Sequence, residues 1–448
     1  EISECLVGSE MCIRDSINLI QFYDWSYRHD SLVAPQEDYH DMMGKEISGS
    51  TVKAKIAKAK ALGMHPTAYG AVYAASKPFF EKHPTWAFYN SCQEPFVFID
   101  VFYIMNIAEG SPWRKHLFEE YQSAISMMGF SGIHMDTYGF PKTAYSHLDA
   151  IPKKIKLENE LPTLIDETRE NVHGEEEPYL IFNNVGAWPV QRTADRKQDA
   201  VYIEVWPPYD RYASIAQLIR DARTYAKDDK STILAAYLKP FREGKREKAL
   251  PAAKLLMGSI VSNGATHLLT GENQTALTQG YYSDYTKLSD SEAEAIRRYY
   301  DYMIWYENLF FDPELQDVTM THTGWDNYEY QCTSHKVSSY GEAGKIWMIL
   351  REKDYRKCIY LLNLCGQSED YWNEGKEEPN IQKDIKFTVQ VDTPVEKICF
   401  STPDGENMDA IELSFTERAT KTGKFIDFTV PSLNYWTTIW IDTRKETI

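Results

Sequence analysis

The sequence predicts an α/β fold, a (β/α)8 TIM barrel followed by a C-terminal antiparallel β-sandwich. Three observations favour this fold class. Between residues 17 and 310, short apolar runs alternate with segments of helical period, as expected for parallel strands joined by crossover helices. After Asp312-Pro313, the hydrophobic pattern changes to the alternation typical of antiparallel strands. The chain has 448 residues, too many for one compact core, so we expect two domains.

The eight barrel strands are predicted from apolar runs that end in polar residues. They are residues 17–23, 65–73, 96–105, 131–136, 179–184, 201–205, 231–238 and 265–270. Helical segments lie at residues 51–62, 112–128, 155–172, 212–226, 249–261 and 291–310. Ser111 before Pro112 is typical of a helix N-terminus. Eight strands within about 290 residues are close to the usual size of this fold.

Short alternating strands separated by polar turns predict a C-terminal antiparallel sandwich with Greek-key connections. They are residues 346–351, 358–364, 385–391, 397–401, 411–415, 425–430 and 436–441. The predicted domains are therefore a barrel at residues 17–316 and a sandwich at residues 317–448. Residues 1–16 fit neither domain and lack the features of a signal peptide, so we expect a non-native or unstructured leader.

Composition excludes several classes of function. The formal net charge of −18 argues against nucleic acid or an anionic membrane as partner, whereas a neutral polymer remains compatible. No apolar run approaches the roughly 20 residues needed to span a bilayer. Aromatic residues make up 13% of the chain, which suits either an aromatic core or platforms that stack on sugar rings.

Known cofactor motifs are not recognisable in the sequence. It contains no Gly-rich phosphate loop, no His-Glu zinc motif and no Gly-x-Ser-x-Gly elbow, so we expect no cofactor and no metal. The seven cysteines show no metal-binding spacing. Four of them, Cys332, Cys358, Cys365 and Cys399, would allow one disulfide without requiring it.

Asp136 ends the apolar run of the predicted fourth strand and is followed at once by a turn. The carboxyl ends of barrel strands form the face that carries catalytic residues. Asp136 is therefore a candidate catalytic carboxylate, and the alternative is an N-cap for the next helical segment.

Glu204 holds the equivalent position on the predicted sixth strand, next to Trp206 and Pro207. Apolar neighbours would raise the pKa of its carboxyl group, as a general acid requires. The alternative is a buried glutamate paired with Arg211 or Lys239. Two carboxylates around one pocket are the minimum needed to cleave a glycosidic bond.

Other strand ends are polar or aromatic in the same register, as a sugar site requires for orienting hydroxyl groups. Each of them could instead be a cap or a member of a salt bridge. These candidate substrate-binding residues are Tyr23, Asp24, Trp25, Tyr69, Tyr138, Asn183, Trp206, Lys239 and Glu272. We expect His134 and His267 to pack inside the barrel or against a crossover helix.

Three motifs together resemble glycoside hydrolase family 66, the endo-dextranases and cycloisomaltooligosaccharide glucanotransferases. They are Ile20-Gln21-Phe22-Tyr23-Asp24-Trp25-x-Tyr27-Arg28-His29, Gly132-Ile133-His134-Met135-Asp136-Thr137-Tyr138-Gly139 and Glu204-Val205-Trp206-Pro207. The similarity runs from about residue 17 to the C-terminus. The combination of motifs is specific, although each motif alone is weak.

This resemblance implies a secreted or cell-surface bacterial enzyme that acts on α-1,6-glucan (dextran and isomaltooligosaccharides) with retention of configuration. It implies Asp136 as nucleophile and Glu204 as general acid/base. Family members carry a further β-sandwich before the barrel, which we expect to be missing here. The glucanotransferases also carry a module inserted in the barrel, and no insertion of that size fits between the predicted strands.

The sequence therefore predicts a retaining endo-glycoside hydrolase that cleaves dextran by double displacement. The absence of a module-sized insertion favours hydrolysis over cyclisation. Two alternatives stay open: a cycloisomaltooligosaccharide glucanotransferase, and a non-catalytic glucan-binding protein that has kept the groove. The presence of both Asp136 and Glu204 argues against the second alternative.

Overall fold

A computed structural model describes residues 17–227, 230–280, 286–323 and 327–444. The predicted leader at residues 1–16 lies outside the described residues. The chain divides into two compact units. The first runs to Val205 and includes Ala222–Ile233, and the second comprises Trp206–Asp221 and the chain from Leu234 onward. The domain boundary between residues 316 and 317 stays a prediction.

The first unit is built on a curled parallel sheet. Its strands are β1 (Leu19–Phe22), β2 (His65–Ala71), β3 (Gly132–Asp136), β4 (Tyr179–Val185), β5 (Ala200–Glu204) and the first three residues of β6 (Ser231–Ala235), and they lie in that order. Strands β1 to β5 pair in parallel. The predicted α/β fold with a parallel sheet is therefore confirmed, whereas a closed eight-stranded barrel is not.

The predicted third barrel strand, residues 96–105, is wrong. This segment forms two short antiparallel strands, Val97–Phe98 and Phe102–Ile104, which pair with each other and with Ala74–Ala75. A continuous apolar run lacks hydrophobic periodicity. Its pattern therefore does not distinguish a buried strand from a hairpin that is covered by aromatic side chains. The predicted eighth strand, residues 265–270, shortens to Thr266–His267, because an antiparallel strand begins at Thr270.

Helices follow most of the parallel strands. The α-helices are Gly49–Ala61, Lys77–Lys82, Pro112–Ser123, Leu157–Asn171, Val190–Thr193, Tyr212–Tyr225, Ala249–Ser262, Asp290–Trp305, Glu307–Phe310 and Thr319–His322. Short 3-10 helices span Pro84–Trp86, Lys239–Phe241 and Arg246–Lys248, and a π-helical turn spans Ala124–Met128. Ser111 caps the helix that begins at Pro112, because its Oγ accepts a bond of 3.3 Å from the backbone N–H of Trp113.

Strand alternation decides which side chains face the helices. In β3, Ile133 and Met135 join the hydrophobic core that also contains Leu117 and Leu161 from two helices. His134 and Asp136 point to the opposite face of the sheet and are also buried. Burial lowers the pKa of His134 to about 3, so its imidazole is neutral.

Four further strands of the first unit pair outside the parallel sheet, together with Phe88–Tyr89. They are Asp38–His40, Glu46–Ser48, Thr143–Ser146 and Lys153–Lys156.

Like His134, His267 of the second unit is buried, as the sequence predicts. Burial lowers the pKa of His267 to about 4.

The second unit contains the predicted C-terminal antiparallel sheets. The strand Thr266–His267 follows β6 in the order of the parallel sheet. The other strands of the second unit are Thr270–Gly271, Thr275–Ala276, Thr286–Lys287, Gln316–Asp317, Tyr330–Cys332, Val337–Ser338, Ile346–Lys353, Arg356–Asn363, Gln382–Val391, Val395–Ser401, Ile411–Leu413, Phe415–Thr420, Gly423–Leu433 and Trp436–Thr443. Two of its sheets share one core, in which Met348 and Leu361 of one sheet meet Phe387 and Phe428 of the other. These apolar residues alternate along each strand, as the sequence predicts.

The cysteines of the described residues carry free thiols. Cys332, Cys358, Cys365 and Cys399, which the sequence would allow to form one disulfide, are all unpaired, as is Cys92. Separately, no helix in residues 17–227, 230–280, 286–323 or 327–444 is long and apolar enough to cross a membrane.

Gly132 lies where β3 packs closely against β4, and a substitution at this position tests that packing. A Cβ atom at this position would lie 2.3 Å from the carbonyl oxygen of Tyr179, a backbone atom that has little freedom to move. We expect Gly132→Ala to lower the melting temperature by about 5 °C or more, because β3 and β4 must separate. The control is Ser131→Ala, in a residue whose bonds to neighbouring strands are made by its backbone. Equal melting temperatures of the two variants would contradict this account.

Candidate active site

Asp136 is the last residue of β3 and is only 7% exposed. The Tyr69 hydroxyl donates a hydrogen bond of 2.7 Å to its Oδ2. The Asn183 side-chain amide donates another of 2.7 Å to its Oδ1. Both oxygens therefore accept bonds from side chains of the neighbouring strands β2 and β4, which differs from the helix N-cap that the sequence left open.

Asn183 also links Asp136 to Glu204. Its Nδ2 donates a second hydrogen bond, of 3.2 Å, to Oε2 of Glu204 at the end of β5. Because the two bonds share one nitrogen, the carboxylate oxygens are separated by at most the sum of 2.7 and 3.2 Å, which is 5.9 Å. The two acidic residues singled out in the sequence thus meet at one point.

The register of the parallel sheet explains this meeting. Asp136 pairs with Ala71 on β2, Asn183 with Tyr202 on β5, and Glu204 with Val185 on β4. Strands of similar length that run in the same direction end at the same edge of the sheet, so their last inward-facing side chains converge.

The electrostatic environment acts strongly on Asp136. Burial, followed by the nearby charge of Glu204, raises the pKa of its carboxyl group to about 7. Hydrogen bonds from Tyr69, from Asn183 and from the backbone N–H of Thr137 act in the opposite direction, because they stabilise the ionised form. The buried carboxyl group is thus held by three hydrogen-bond donors.

Tyrosine side chains surround the two carboxyl groups. The rings of Tyr23 and Tyr69 lie 4.3 Å apart. Burial, and then the charges of Asp136 and Glu204, raise the pKa of Tyr23 well above its ordinary value. Burial and Asp136 have the same effect on Tyr69. Both phenols therefore stay neutral, and the Tyr69 hydroxyl is available as a hydrogen-bond donor.

The remaining predicted residues of the first unit lie in different surroundings. Asp24 forms an ion pair of 2.5 Å with Lys45. Trp25 is fully buried, and its indole N–H donates to the carbonyl oxygen of Tyr69 at 3.0 Å. Trp25 thus supports the strand that carries Tyr69 and presents no exposed ring. Tyr138 is half-buried, and its backbone N–H donates to the Tyr73 hydroxyl at 2.5 Å.

Three predicted residues belong to the second unit. Trp206 is 40% exposed, and its ring lies 6.3 Å from that of Tyr237. The Lys239 ammonium group forms an ion pair of 2.6 Å with Glu374. The carbonyl oxygen of Glu272 accepts a bond from the Thr275 hydroxyl.

Arg211 was the other cation considered as a partner of Glu204. Its guanidinium group pairs with Asp370 and donates a hydrogen bond of 2.8 Å to the Tyr371 hydroxyl. Arg211 and Lys239 are thus each paired with an acidic residue of the second unit.

Sequence reasoning missed Tyr73 and Tyr121, which also bear on the site. The Tyr73 hydroxyl holds the backbone next to Asp136 through its bond with Tyr138, and the Tyr121 hydroxyl donates to the carbonyl oxygen of Gly70 at 2.9 Å. Tyr121 lies within a helix, and Tyr73 was not selected although it ends the predicted second strand. The spacing from Tyr69 to Tyr73 does not reveal that both phenols approach Asp136.

Comparisons with known proteins agree with this architecture. The chain is 21% identical, over 95% of its length, to a cycloisomaltooligosaccharide glucanotransferase of Niallia circulans. A second glucanotransferase of that species is 20% identical over the same share. The chain spans 58% of the length of each of these curated relatives.

Solved structures show the same fold. A cycloisomaltooligosaccharide glucanotransferase of Paenibacillus sp., complexed with cycloisomaltoheptaose, superposes with a TM-score of 0.88 at 18% identity and covers 98% of this chain and 83% of its own. A maltogenic α-amylase of Thermotoga neapolitana gives a TM-score of 0.58 at 10% identity, over 99% and 96% of the two chains. The model of Glycosyl hydrolase family 66 matches residues 10–440, and the chain therefore belongs to this family.

Proposed function

We propose that this chain cleaves α-1,6-glucosidic bonds of dextran-type glucan by double displacement, with Asp136 as nucleophile and Glu204 as general acid/base. The observation that carries the proposal is the single amide group of Asn183 that bonds both carboxyl groups. The amide group holds the two carboxyl groups close together, so that both act on the same anomeric carbon of the substrate.

The separation of the carboxyl groups supports a retaining mechanism. Retaining glycosidases hold their two carboxyl groups about 5–5.5 Å apart, whereas inverting enzymes need about 6.5–9.5 Å to admit a water molecule. The upper limit of 5.9 Å between the bonded oxygens of Asp136 and Glu204 agrees with the retaining class.

The donors around Asp136 support its role as the nucleophile. Two carboxyl groups this close, one of them buried and the other half-buried, do not both ionise readily and tend to share a proton. Asp136 accepts bonds from Tyr69, Asn183 and the Thr137 backbone, all of which favour its ionised form. The proposed mechanism places the shared proton on Glu204 when the substrate reacts, because the general acid must donate it.

In the first step, a carboxylate oxygen of Asp136 attacks the anomeric carbon of a glucosyl unit. The bond from that carbon to the glycosidic oxygen breaks, and Glu204 transfers its proton to the departing oxygen. The product is a glucosyl ester of Asp136, and Glu204 is left ionised. The neutral hydroxyl of Tyr69 stays bonded to the carboxyl group of Asp136 and keeps it oriented.

In the second step, an acceptor hydroxyl attacks the anomeric carbon, and Glu204 removes its proton. The bond from that carbon to Asp136 breaks, and both carboxyl groups return to their initial states. Water as acceptor gives hydrolysis, whereas a glucan hydroxyl gives transfer, including cyclisation. Both reactions use the same two residues in the same roles.

Different observations support the two outcomes. No insertion large enough for a further module was recognised between the strands predicted from sequence, which favours hydrolysis. The curated relatives and the similar solved structure are glucanotransferases, which favours transfer. We therefore propose hydrolysis and transfer as the two candidate reactions, to be separated by their products.

The surrounding residues have proposed roles in the same reaction. We assign substrate contacts to Tyr23, Asp24, Tyr138, Trp206, Lys239 and Glu272, and a supporting role to Trp25. Tyr69 and Asn183, which the sequence suggested as substrate contacts, act here on the carboxyl groups. The resemblance to the family also implies a secreted or cell-surface location, which belongs to the same proposal.

Asp136→Asn and Glu204→Gln test the two catalytic roles. We expect each variant to retain less than about 0.1% of the wild-type cleavage of dextran, because each removes an ionisable group while keeping its shape. Activity is measured by release of reducing ends, with starch and pullulan as comparison substrates. Chromatographic sizing of wild-type products separates linear from cyclic isomaltooligosaccharides. Dextran cleavage by either variant at the wild-type rate would reject the assignment.

Tyr69→Phe tests the hydrogen bond to Asp136. Loss of a bond to a charged group costs about 1.5–3 kcal/mol, so we expect kcat/KM to fall about 10-fold to 100-fold. Because this bond lowers the pKa of Asp136, its loss should move the acidic limb of the pH–rate profile to higher pH. The control is Tyr121→Phe, whose hydroxyl donates to a backbone carbonyl group. An unmoved acidic limb in Tyr69→Phe would refute the role.

Asp136→Asn should also change how stability depends on pH. The folded chain raises the pKa of Asp136 from 3.8 to about 7, so it binds this proton more tightly than the unfolded chain does. The stability gained from protonation is complete below pH 4 and is lost as the pH rises through 7. We expect Asp136→Asn to melt about 2–4 °C above wild type at pH 8, and near wild type below pH 4.

The control for this measurement is Asp384→Asn, which neutralises an exposed carboxyl group. It should change the melting temperature little at either pH. A variant Asp136→Asn that is no more stable than wild type at pH 8 would mean that the ionised pair is not destabilising.

A further inference from the structure

The chain between β2 and the helix Pro112–Ser123 follows the carboxyl end of a parallel strand. It therefore begins at the same edge of the sheet as Asp136, which ends the neighbouring strand β3. The segment that sequence analysis took for a barrel strand lies within this connection. Its position makes it a candidate part of the substrate-binding face.

Val97–Phe98 and Phe102–Ile104 form a tight structure that we call the 97–104 hairpin. Its second strand pairs with Ala74–Ala75, just beyond the end of β2. The backbone N–H of Met105 also donates to the carbonyl oxygen of Tyr73 at 2.6 Å. The hairpin is thus fixed to the chain that leaves β2.

The turn of this hairpin has an unfavourable backbone conformation. Ile99 and Asp100 have φ angles of 45° and 59°, and the Val101 N–H donates to the carbonyl oxygen of Phe98 at 3.1 Å. Two-residue turns with both φ angles positive are usually made by Asn-Gly or Asp-Gly. A β-branched residue is a genuine outlier in this region. Asparagine or glycine at position 99 would make the turn with less strain.

Burial does not compensate for this strain. The side chain of Ile99 is 47% exposed at the end of the hairpin. Strained residues persist where the surrounding structure imposes them, and they concentrate at ligand-binding and active sites. The combination of a strained backbone and an exposed apolar side chain therefore points to a contact with something outside the chain.

Aromatic contacts connect the hairpin to the carboxyl pair. The Phe98 ring stacks on that of Tyr138, two residues beyond Asp136, with centroids 4.4 Å apart. Phe102 lies 5.1 Å from His29, whose ring in turn lies 5.7 Å from Tyr69. The hairpin thus packs directly on the residues that surround Asp136.

We propose that the 97–104 hairpin is a substrate-binding element, and that Ile99 packs on the apolar face of a glucosyl unit next to or beyond the reacting one. This inference rests on the proposed function, because the ligand is the same α-1,6-glucan. Sugar rings present C–H groups on their faces, and an exposed aliphatic side chain removes that surface from water. The uncharged contact suits a neutral polymer.

The test is a set of substitutions that separates backbone strain from side-chain contact. Ile99→Gly and Ile99→Asn relieve the strain and remove the apolar side chain. We expect both to raise KM for dextran about five-fold at an unchanged kcat, because the contact is the same in the ground and transition states. Their melting temperatures should rise by about 1–3 °C. Ile99→Val keeps strain and contact, and should behave as wild type.

The matched control is Asp384→Gly, which replaces another exposed residue of positive φ (53°), in the second unit. It should leave KM and kcat unchanged. A KM within two-fold of wild type in both Ile99→Gly and Ile99→Asn would overturn the inference. A merely structural role of Ile99 would change the melting temperature and leave KM unchanged.

Binding measurements separate this inference from the proposed reaction. Dissociation constants for isomaltooligosaccharides are measured by calorimetry in Glu204→Gln, with and without Ile99→Gly. About five-fold weaker binding in the double variant supports the inference even if wild type fails to cleave dextran, which would reject only the reaction. Equal dissociation constants overturn the inference and leave the reaction standing. No binding in either protein rejects both.

Discussion

The site depends on one amide group placed between the buried carboxyl group of Asp136 and the half-buried carboxyl group of Glu204. Two like charges at this distance repel each other, and burial strengthens the repulsion because little water remains to screen it. The Nδ2 of Asn183 donates to both Asp136 and Glu204, and so offsets part of that repulsion. An aspartate at the same position could not do so, since an ionised carboxylate has no hydrogen to donate.

This constraint explains why the site requires a parallel sheet. The amide and the two acids come from β4, β3 and β5, three adjacent strands that end at one edge. Tyr69 on β2 extends the set to a fourth strand. Each strand contributes a residue close to its carboxyl end, and the hydrophobic core on the other face of the sheet holds the strands in register. The packing of this core thus keeps the two carboxyl groups close together despite their mutual repulsion, as is common at active sites.

The 97–104 hairpin shows how an apolar run can leave the parallel sheet and still join a core, since Phe102 and Ile104 belong to the hydrophobic core of the first unit. The almost uninterrupted hydrophobicity of residues 96–105 predicts a barrel strand. In the structure, these residues form a hairpin packed on Tyr138 and His29, and Ile99 stays exposed at its end. The usual turn signal is absent because an Ile-Asp pair stands where Asn-Gly is typical. The turn propensities of these residues therefore do not predict the hairpin turn, which lies where we propose that the glucan binds.

The sequence by itself determined the parallel sheet, the C-terminal antiparallel sheets and the two acids at strand ends. These features follow from hydrophobic periodicity and from polar residues that interrupt it, and both are local properties of the chain. Only the tertiary structure decided that Asn183 bridges the acids, that Trp25 supports Tyr69 from within the core, and that residues 96–105 leave the sheet. These outcomes depend on which strands become neighbours and on the direction of each side chain, and contacts between residues distant in sequence leave no periodic signal.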